Sequence, residues 1–448
     1  MFNIFAIKMT TPRLIFLSYL IIIIIGAILL SLPISSIKPG PANFLTALFT
    51  STSAVCVTGL IVVNTANYWS TFGQAVILIL IQIGGLGIMA FSTMGFILLG
   101  KRLTLSKRKL LKEDIGAFNI GGIIDLLKYI ITVTFIIELA GSVLLFLNFR
   151  AYMPDKKAVW SSLFHTVSAF NNAGFDIFGN SLEDFTTDIG VNLTFIFLII
   201  LGGLGFTVIK ELWESVNNYN SFVKFSLHSK IVFIITICLL LSGLLVVFTL
   251  ERQNTETLES LTFPNKIMSS FFLSVTSRTA GFNTIPTGNL KTGSLFFLIF
   301  LMFIGASPCS TGGGIKTTTF GALITKVYSI LKEEKDYSIL KRRLKKETVD
   351  KATGILIISL LLIFVITLFL TITEPYSFIE IFFETVSAFG TVGLSTGITG
   401  DLSSIAQFLI FITMIAGRIG PLTLIISLGK SKFHSQNYRY PKEDIMIG

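Results

Sequence analysis

The chain has 448 residues and a formal net charge of +10; it is 52% hydrophobic and 13% charged, and its 42 Phe outnumber all of its Asp and Glu. Such a composition excludes a soluble multidomain fold and marks an integral membrane protein. Nucleic acid is not the partner the basic balance points to, because Lys and Arg stand in short clusters between apolar runs rather than among aromatic and polar neighbours on a solvated face.

Eight apolar runs are candidates to cross a bilayer: Leu14 to Leu32, Gly73 to Leu99, Tyr129 to Leu147, Ile189 to Ile209, Ile231 to Leu250, Ser294 to Ile304 with a continuation, Gly354 to Thr371, and Ile405 to Leu428. The first lacks a small-residue cleavage site and reads as a span, not a signal peptide. Within each pair of runs lies a shorter segment of mixed polarity that ends in Ser, Thr and Gly, too short to cross and therefore re-entrant. The N-terminus, the connectors between pairs and the C-terminal tail hold 25 of the 35 Lys and Arg, among them Lys101, Arg102, Lys107, Arg108, Lys109, Lys112, Lys341, Arg342, Arg343, Lys345 and Lys346. Both termini are expected on the cytoplasmic side. The acids Asp176, Glu183, Asp184, Asp188 and Glu251 fall on the opposite side, where they either solubilise loops or form a mildly cation-attracting vestibule.

Internal repetition carries the most information. Four windows align without gaps: FTSTSAVCVTGL (Phe49 to Leu60), FHTVSAFNNAGF (Phe164 to Phe175), FFLSVTSRTAGF (Phe271 to Phe282) and FETVSAFGTVGL (Phe383 to Leu394). Their glycines, Gly59, Gly174, Gly281 and Gly393, are followed 24 to 28 residues later by Gly84, Gly202, Gly305 and Gly417 in the next span. The expected fold is all-α: four span, pore-helix, loop, span repeats around a pseudo-four-fold pore, eight transmembrane helices in all. The units divide as 1–112, 113–226, 227–347 with an intramembrane loop over 305–319, and 348–448 with the tail.

Non-helical backbone at membrane depth is tolerated where protein buries it or where it lines a water-filled cavity, so four such loops imply a shared cavity. Rings of carbonyls there can replace the hydration shell of a monovalent cation, and the preceding short helices point their negative ends inward. Glycine allows that close backbone approach. The simpler reading, close helix packing, suits Gly84, Gly85, Gly87, Gly202, Gly203 and Gly205 better than it suits the four loop glycines.

The windows, their flanks and the eight-span length resemble the Trk/Ktr/HKT superfamily of potassium and sodium transporters, most closely the membrane subunit of bacterial Ktr potassium uptake systems. The resemblance covers essentially the whole chain. It implies that a selectivity filter is formed by Val57, Thr58, Gly59; Asn172, Ala173, Gly174; Thr279, Ala280, Gly281; and Thr391, Val392, Gly393. Glycine at all four ring positions implies potassium conduction, with sodium as a coupling or stimulating ion. It also implies a homodimer on a cytoplasmic ring of nucleotide-binding regulatory subunits, in a bacterial plasma membrane. The chain itself shows no nucleotide domain and no cofactor motif.

The third unit departs from its siblings and is expected to be the one broken span. Gly305, Ala306, Ser307, Pro308, Cys309, Ser310, Thr311, Gly312, Gly313, Gly314, Ile315 and Lys316 cannot sustain a regular helix. A P-loop is not the explanation, because Ile315 interrupts GK. The resemblance makes this segment a gate below the filter, with Arg418 projecting beside it. Arg418 either bonds loop carbonyls and holds back cations or pairs with a span carboxylate; Lys316 either tethers the loop or snorkels to the interface. Arg278 is expected to hydrogen-bond backbone or an outer acid, and Glu138 has no partner readable from sequence. His165 reads as a packed residue, while His228 and His434 lie in cytoplasmic segments. Cys56, Cys238 and Cys309 have no metal-ligand spacing, and no catalytic constellation can be built. A scaffold protein, or a carrier of an organic substrate with matched breaks in two halves, are the competing readings.

Overall fold

The computed structural model describes residues 10–38, 40–88, 90, 91, 93, 108, 110–112, 122–217, 225–428, 441, 443 and 446. Lys101, Arg102, Lys107, Lys109, His434 and the tail from residue 429 to 440 lie outside the described residues.

Each of the four units is built in the same order. The first comprises α1 (Thr11–Leu30), the short α2 (Phe44–Cys56) and α3 (Thr71–Leu86). In the second, α4 (Ile123–Phe149), α5 (Asp155–Phe170) and α6 (Ile189–Leu204) are followed by α7 (Phe206–Asn217). The third comprises α8 (Leu227–Glu251), α9 (Phe263–Thr276), α10 (Thr292–Phe303) and α11 (Thr317–Leu331). The fourth comprises α12 (Lys346–Thr373), α13 (Phe378–Gly390), α14 (Ser404–Ile419) and α15 (Pro421–Leu428). A two-residue hairpin, Ser338–Ile339 with Arg342–Arg343, lies in the connector before α12.

The leading helices α1, α4, α8 and α12, of 20 to 28 residues, are each long and apolar enough to cross a membrane. Their apolar residues run all round: Ile21, Ile25 and Ile28 of α1 are exposed while Ile15, Tyr19 and Ile23 are buried, as suits helices with one face in lipid. Small residues let the short helices sit close. Gly26 faces Ser51, Gly141 faces Thr166 and Gly243 faces Ser274. The freed space is used by hydroxyls that donate back to the leading helix, Ser51 to the Ile23 carbonyl at 2.7 Å and Ser274 to that of Leu240 at 2.8 Å.

The trailing helices are shorter than expected. With 16 residues, α3, α6 and α14 reach about 24 Å, less than the roughly 30 Å hydrocarbon core. The sequence suggested that only the third unit was broken, but the other three are interrupted as well. Gly87, Gly205 and Gly420 end these helices at φ of 92, 94 and 93°. The continuations then bend by 103° into α7 and by 105° into α15. The cause is legible in the aligned GGLG, GGLG and GRIG segments, whose last glycine adopts a conformation that residues with a Cβ resist.

Each trailing helix packs on the short helix of the next unit: α3 on α5, α6 on α9, α10 on α13, and α14 back on α2. The last contact closes the ring. It is reinforced where α15 packs on α1, with Arg13 Nε donating to the Ser427 carbonyl at 2.9 Å.

Candidate ion pathway

The four short helices end at the centre of the ring, and the backbone turns there in one repeated way. Val57, Asn172, Thr279 and Thr391 have φ of 56, 58, 80 and 50°, and two residues later Gly59, Gly174, Gly281 and Gly393 have φ of 93, 69, 80 and 88°. Two positive φ values per loop, one of them at a non-glycine, are costly and persist only where the surroundings fix them. The fixing groups sit in the helix just before: Ser53 Oγ accepts from Gly59 N at 3.0 Å and Ser387 Oγ from Gly393 N at 3.1 Å, while Ser168 Oγ donates to the Phe175 carbonyl at 2.8 Å. These serines share the fifth window position; the third unit has Val275 there, and its Gly281 N reaches the Thr276 carbonyl at 3.4 Å instead.

The glycines form a closed cycle. A Cβ on Gly59 would lie 2.6 Å from the Ala173 carbonyl oxygen, one on Gly174 2.8 Å from that of Ala280, and one on Gly281 2.5 Å from that of Val392. One on Gly393 would overlap the Thr58 carbonyl oxygen. Every unit thus faces the backbone of the next, and the structure brings together all twelve residues read from the windows. Above them opens a cavity of about 400 Å³ lined by the four glycines and by Asn64, Asp176, Glu183, Asn283, Ser395 and Thr399, among others.

The outer acids divide by role. Asp176 and Glu183 line that cavity. Burial holds the Asp176 carboxyl above its ordinary pKa, while N–H bonds from Gly179 at 2.7 Å and Phe178 at 3.0 Å pull the other way. Asp188 instead caps α6, accepting from Val191 N at 2.9 Å and from the Tyr152 hydroxyl at 2.7 Å. Glu251 accepts from Lys291 N at 3.0 Å and from the Ser294 hydroxyl at the start of α10.

Beneath the loops, the segment from Gly305 to Lys316 runs through the centre without helix. Ser307 N donates to the Gly203 carbonyl at 3.0 Å, Thr311 N to that of Gly202 at 3.2 Å, and Gly313 N to Thr391 Oγ1 at 3.0 Å. Gly312 lies against Thr279 and Gly313 against Thr391, so the segment presses on the inner end of the third and fourth loops. Ala306 is buried beside Gly203 and Gly312, and Gly314 beside Gly305 and Gly390. On the inner side lie two cavities of about 640 and 230 Å³ that share no lining residue with the outer one.

Arg418 and Lys316 hold this segment by its carbonyls. Arg418 donates through Nη1 to Thr311 O and through Nη2 to Gly84 O and, at 3.4 Å, Gly85 O. Among the described residues it meets no carboxylate. Lys316 Nζ donates to Gly312 O at 2.5 Å within the segment, and Arg278 Nη2 reaches Gly305 O at 3.4 Å. Gly84, Gly202 and Gly417 lie directly against the carbonyls of Val55, Phe170 and Phe389, where a Cβ has no room. The packing reading of the second glycines therefore holds for Gly84 and Gly202.

Sequence reasoning left Glu138 without a partner. The buried carboxylate accepts from Gln82 Nε2 at 3.2 Å and Asn171 Nδ2 at 3.2 Å, and Asn171 also donates to Gln82 Oε1 at 3.0 Å. This triad joins the first and second units directly behind Asn172. His165 is wholly buried, stacked on Phe178 with ring centroids 4.1 Å apart, and its Nδ1 lies 2.7 Å from the Ser161 carbonyl.

Comparison with known proteins fits this architecture. The TrkH family, described as cation transport protein, matches residues 21–437. The Ktr system potassium uptake protein B of Bacillus subtilis is 41% identical over 442 residues, covering 99% of this chain and 98% of that protein. The potassium/sodium uptake protein NtpJ of Enterococcus hirae is 38% identical over 446 residues, with 98% of each covered. The crystal structure of the potassium transporter TrkH from Vibrio parahaemolyticus shares the fold at a TM-score of 0.75 and 19% identity, over 96% of this chain and 87% of that one. A four-fold ring closed from α14 back to α2, matched in sequence over almost its full length, places the chain in the TrkH family of cation transport proteins.

Proposed function

We propose that the chain is the potassium-translocating subunit of a Ktr-type uptake system. The observation that carries this reading is the closed cycle in which each loop glycine abuts a carbonyl of the next unit. Backbone oxygens gathered at one axis, at the carbonyl ends of four short helices, replace the hydration of a monovalent cation and disfavour anions. The names of the relatives support potassium as the cargo, and the Enterococcus hirae relative supports sodium as a second ion.

In this reading Val57 to Gly59, Asn172 to Gly174, Thr279 to Gly281 and Thr391 to Gly393 are the filter. The segment 305–319 is the gate, with Gly305, Ala306, Ser307, Gly312, Gly313 and Gly314 supplying its tight path and Lys316 and Arg418 holding it shut through carbonyl bonds. The protein works as a homodimer in the plasma membrane with both termini inside, as the basic connectors favour. A cytoplasmic ring of nucleotide-binding subunits opens the gate; the connector from Lys326 to Lys351 offers it a docking surface.

The test is uptake into liposomes by the purified chain, potassium against sodium, beside Gly281→Ser. Potassium-selective flux is expected, with selectivity weakened in the variant, because a side chain at φ 80° displaces the Val392 carbonyl. Equal selectivity in both proteins would overturn the assignment of the filter.

A further inference from the structure

The larger inner cavity, of about 640 Å³, has an unusual charge lining for a path that cations travel. Its charged walls are Lys112, Lys316, Lys351 and Arg418, and no carboxylate lines it among the described residues. The four cations come from four places in the chain: the helical stretch 110–112, the end of the crossing segment, the start of α12 and the end of α14. Topology alone places basic residues on the cytoplasmic side, but it does not bring four of them from separate elements to the wall of one space.

None of the four is ion-paired with a carboxylate among the described residues. The ion pairs Lys210 with Glu214 and Asp336 with Arg343 lie elsewhere. Arg418 and Lys316 are held by carbonyl bonds, which leaves Lys112 and Lys351 as the basic side chains best placed to meet an occupant. Two helix starts add to the field: Lys316 and Thr319 at the head of α11, and Gly420 to Thr423 at the head of α15, line the same space. Helix starts carry unsatisfied N–H groups and a positive end.

We propose that this cavity is an anion site that takes a phosphate group, from free phosphate or from the headgroup of an anionic lipid. Phosphate oxygens accept several charge-assisted bonds at once, so one phosphate group can answer basic side chains set on different walls of so large a space, which a monatomic anion cannot do. Pro12, Ile15 and Tyr19 of α1 and Ile426 of α15 complete the wall, so the space has an apolar side against which a lipid can lie. An occupant there would offset the positive field that a cation leaving the loops meets. The inference rests on the cavity and stands apart from the identity of the cargo.

The test uses the full chain. In detergent, inorganic phosphate titrated against chloride at constant ionic strength is expected to raise Tm saturably, since a ligand that binds the folded state stabilises it. Lys112→Gln with Lys351→Gln is expected to raise the half-saturating concentration about ten-fold, and Lys112→Arg with Lys351→Arg to leave it within about two-fold. Should the double Gln variant fail to fold, each single Gln variant is expected to raise it about three-fold. In a second arm the chain is extracted from vesicles of phosphatidylcholine with phosphatidylglycerol and weighed by native mass spectrometry. Retention of phosphatidylglycerol by the wild type and its loss from the Gln variants assigns the phosphate to lipid; a Tm response without retention assigns it to a soluble anion. A response equal in the wild type and the Gln variants, or none in either arm, overturns the proposal. Neither readout measures ion flux, so this result and the potassium reading can fail separately.

Discussion

The outer and inner halves of the ring obey different rules. At the loop glycines the four units are interchangeable: the same φ pattern, the same contact with the next unit, the same cycle. One turn further in, the residue after each second glycine is Gly85, Gly203, Ala306 or Arg418, and equivalence is gone. Gly85 makes room for Asn171 and Gly203 for Asn172 and Ala306, Arg418 reaches across to the Gly84 carbonyl, and the segment after Gly305 crosses beneath the loops. Steric reasoning explains why. Four equivalent carbonyl sets can share an axis by each standing beside it, whereas only one chain can lie across it. Under the proposed function, coordination of an ion favours symmetry and obstruction of a path requires that it be broken, which matches the non-helical crossing in the third unit and the arginine in the fourth.

The sharpest way to break the outer rule is to add one methyl group. Gly393→Ala places a Cβ on the Thr58 carbonyl oxygen at a φ of 88°, where both space and backbone angle forbid it. The cost exceeds the ~1 kcal/mol of an incompatible φ alone, and potassium flux is expected to fall by about ten-fold or more. Gly354→Ala is the control: it lies within α12 with nothing near its Cβ, so thermal stability is expected to hold or to rise by up to about 1 kcal/mol. Equal flux in both variants would remove the ring from any role in conduction.

The outer rule was legible because the repeat carried it. Four gapless windows ending in Gly with Leu or Phe put the loops at one depth, and lipid forbids such loops unless they meet. The inner half was read less well. The breaks at Gly87, Gly205 and Gly420 were hidden inside apolar runs, because hydropathy counts residues and is blind to φ; the final glycine of GGLG and GRIG was the available signal. The triad of Glu138, Gln82 and Asn171 could not be read at all. Its members are separated by 56 and 33 residues and meet only because α3 packs on α5, a contact fixed by closure of the ring rather than by local pattern.

The inner rule is tested first at Arg418. Its guanidinium ties the crossing segment at Thr311 to the first unit at Gly84 and Gly85. Hydrogen bonds from charged groups contribute about 1.5 to 3 kcal/mol each. Arg418→Gln keeps a donor but not the reach to both sides, so the crossing segment loses its brace. Potassium flux in liposomes is expected to rise several-fold while the preference over sodium stays, since the loop glycines are untouched. A variant with unchanged flux would mean that the arginine only fills space.

The smallest expected effect concerns the seam between the two halves. Thr391 belongs to the fourth loop, and its hydroxyl accepts from the N–H of Gly313 in the crossing segment at 3.0 Å. Thr391→Val keeps the shape and removes the acceptor, stranding a buried N–H at a cost of about 1 to 3 kcal/mol, whereas Thr391→Ser keeps it and should cost well under that. If the segment is the gate of the proposed function, the bond holds only while it lies under the loop, and its loss penalises the closed arrangement more than the open one. Thr391→Val is therefore expected to lower Tm by a few degrees and to raise flux slightly, and Thr391→Ser to do neither. A fall in Tm together with a fall in flux would instead place the hydroxyl in service of the loop alone, leaving the two halves uncoupled at this point.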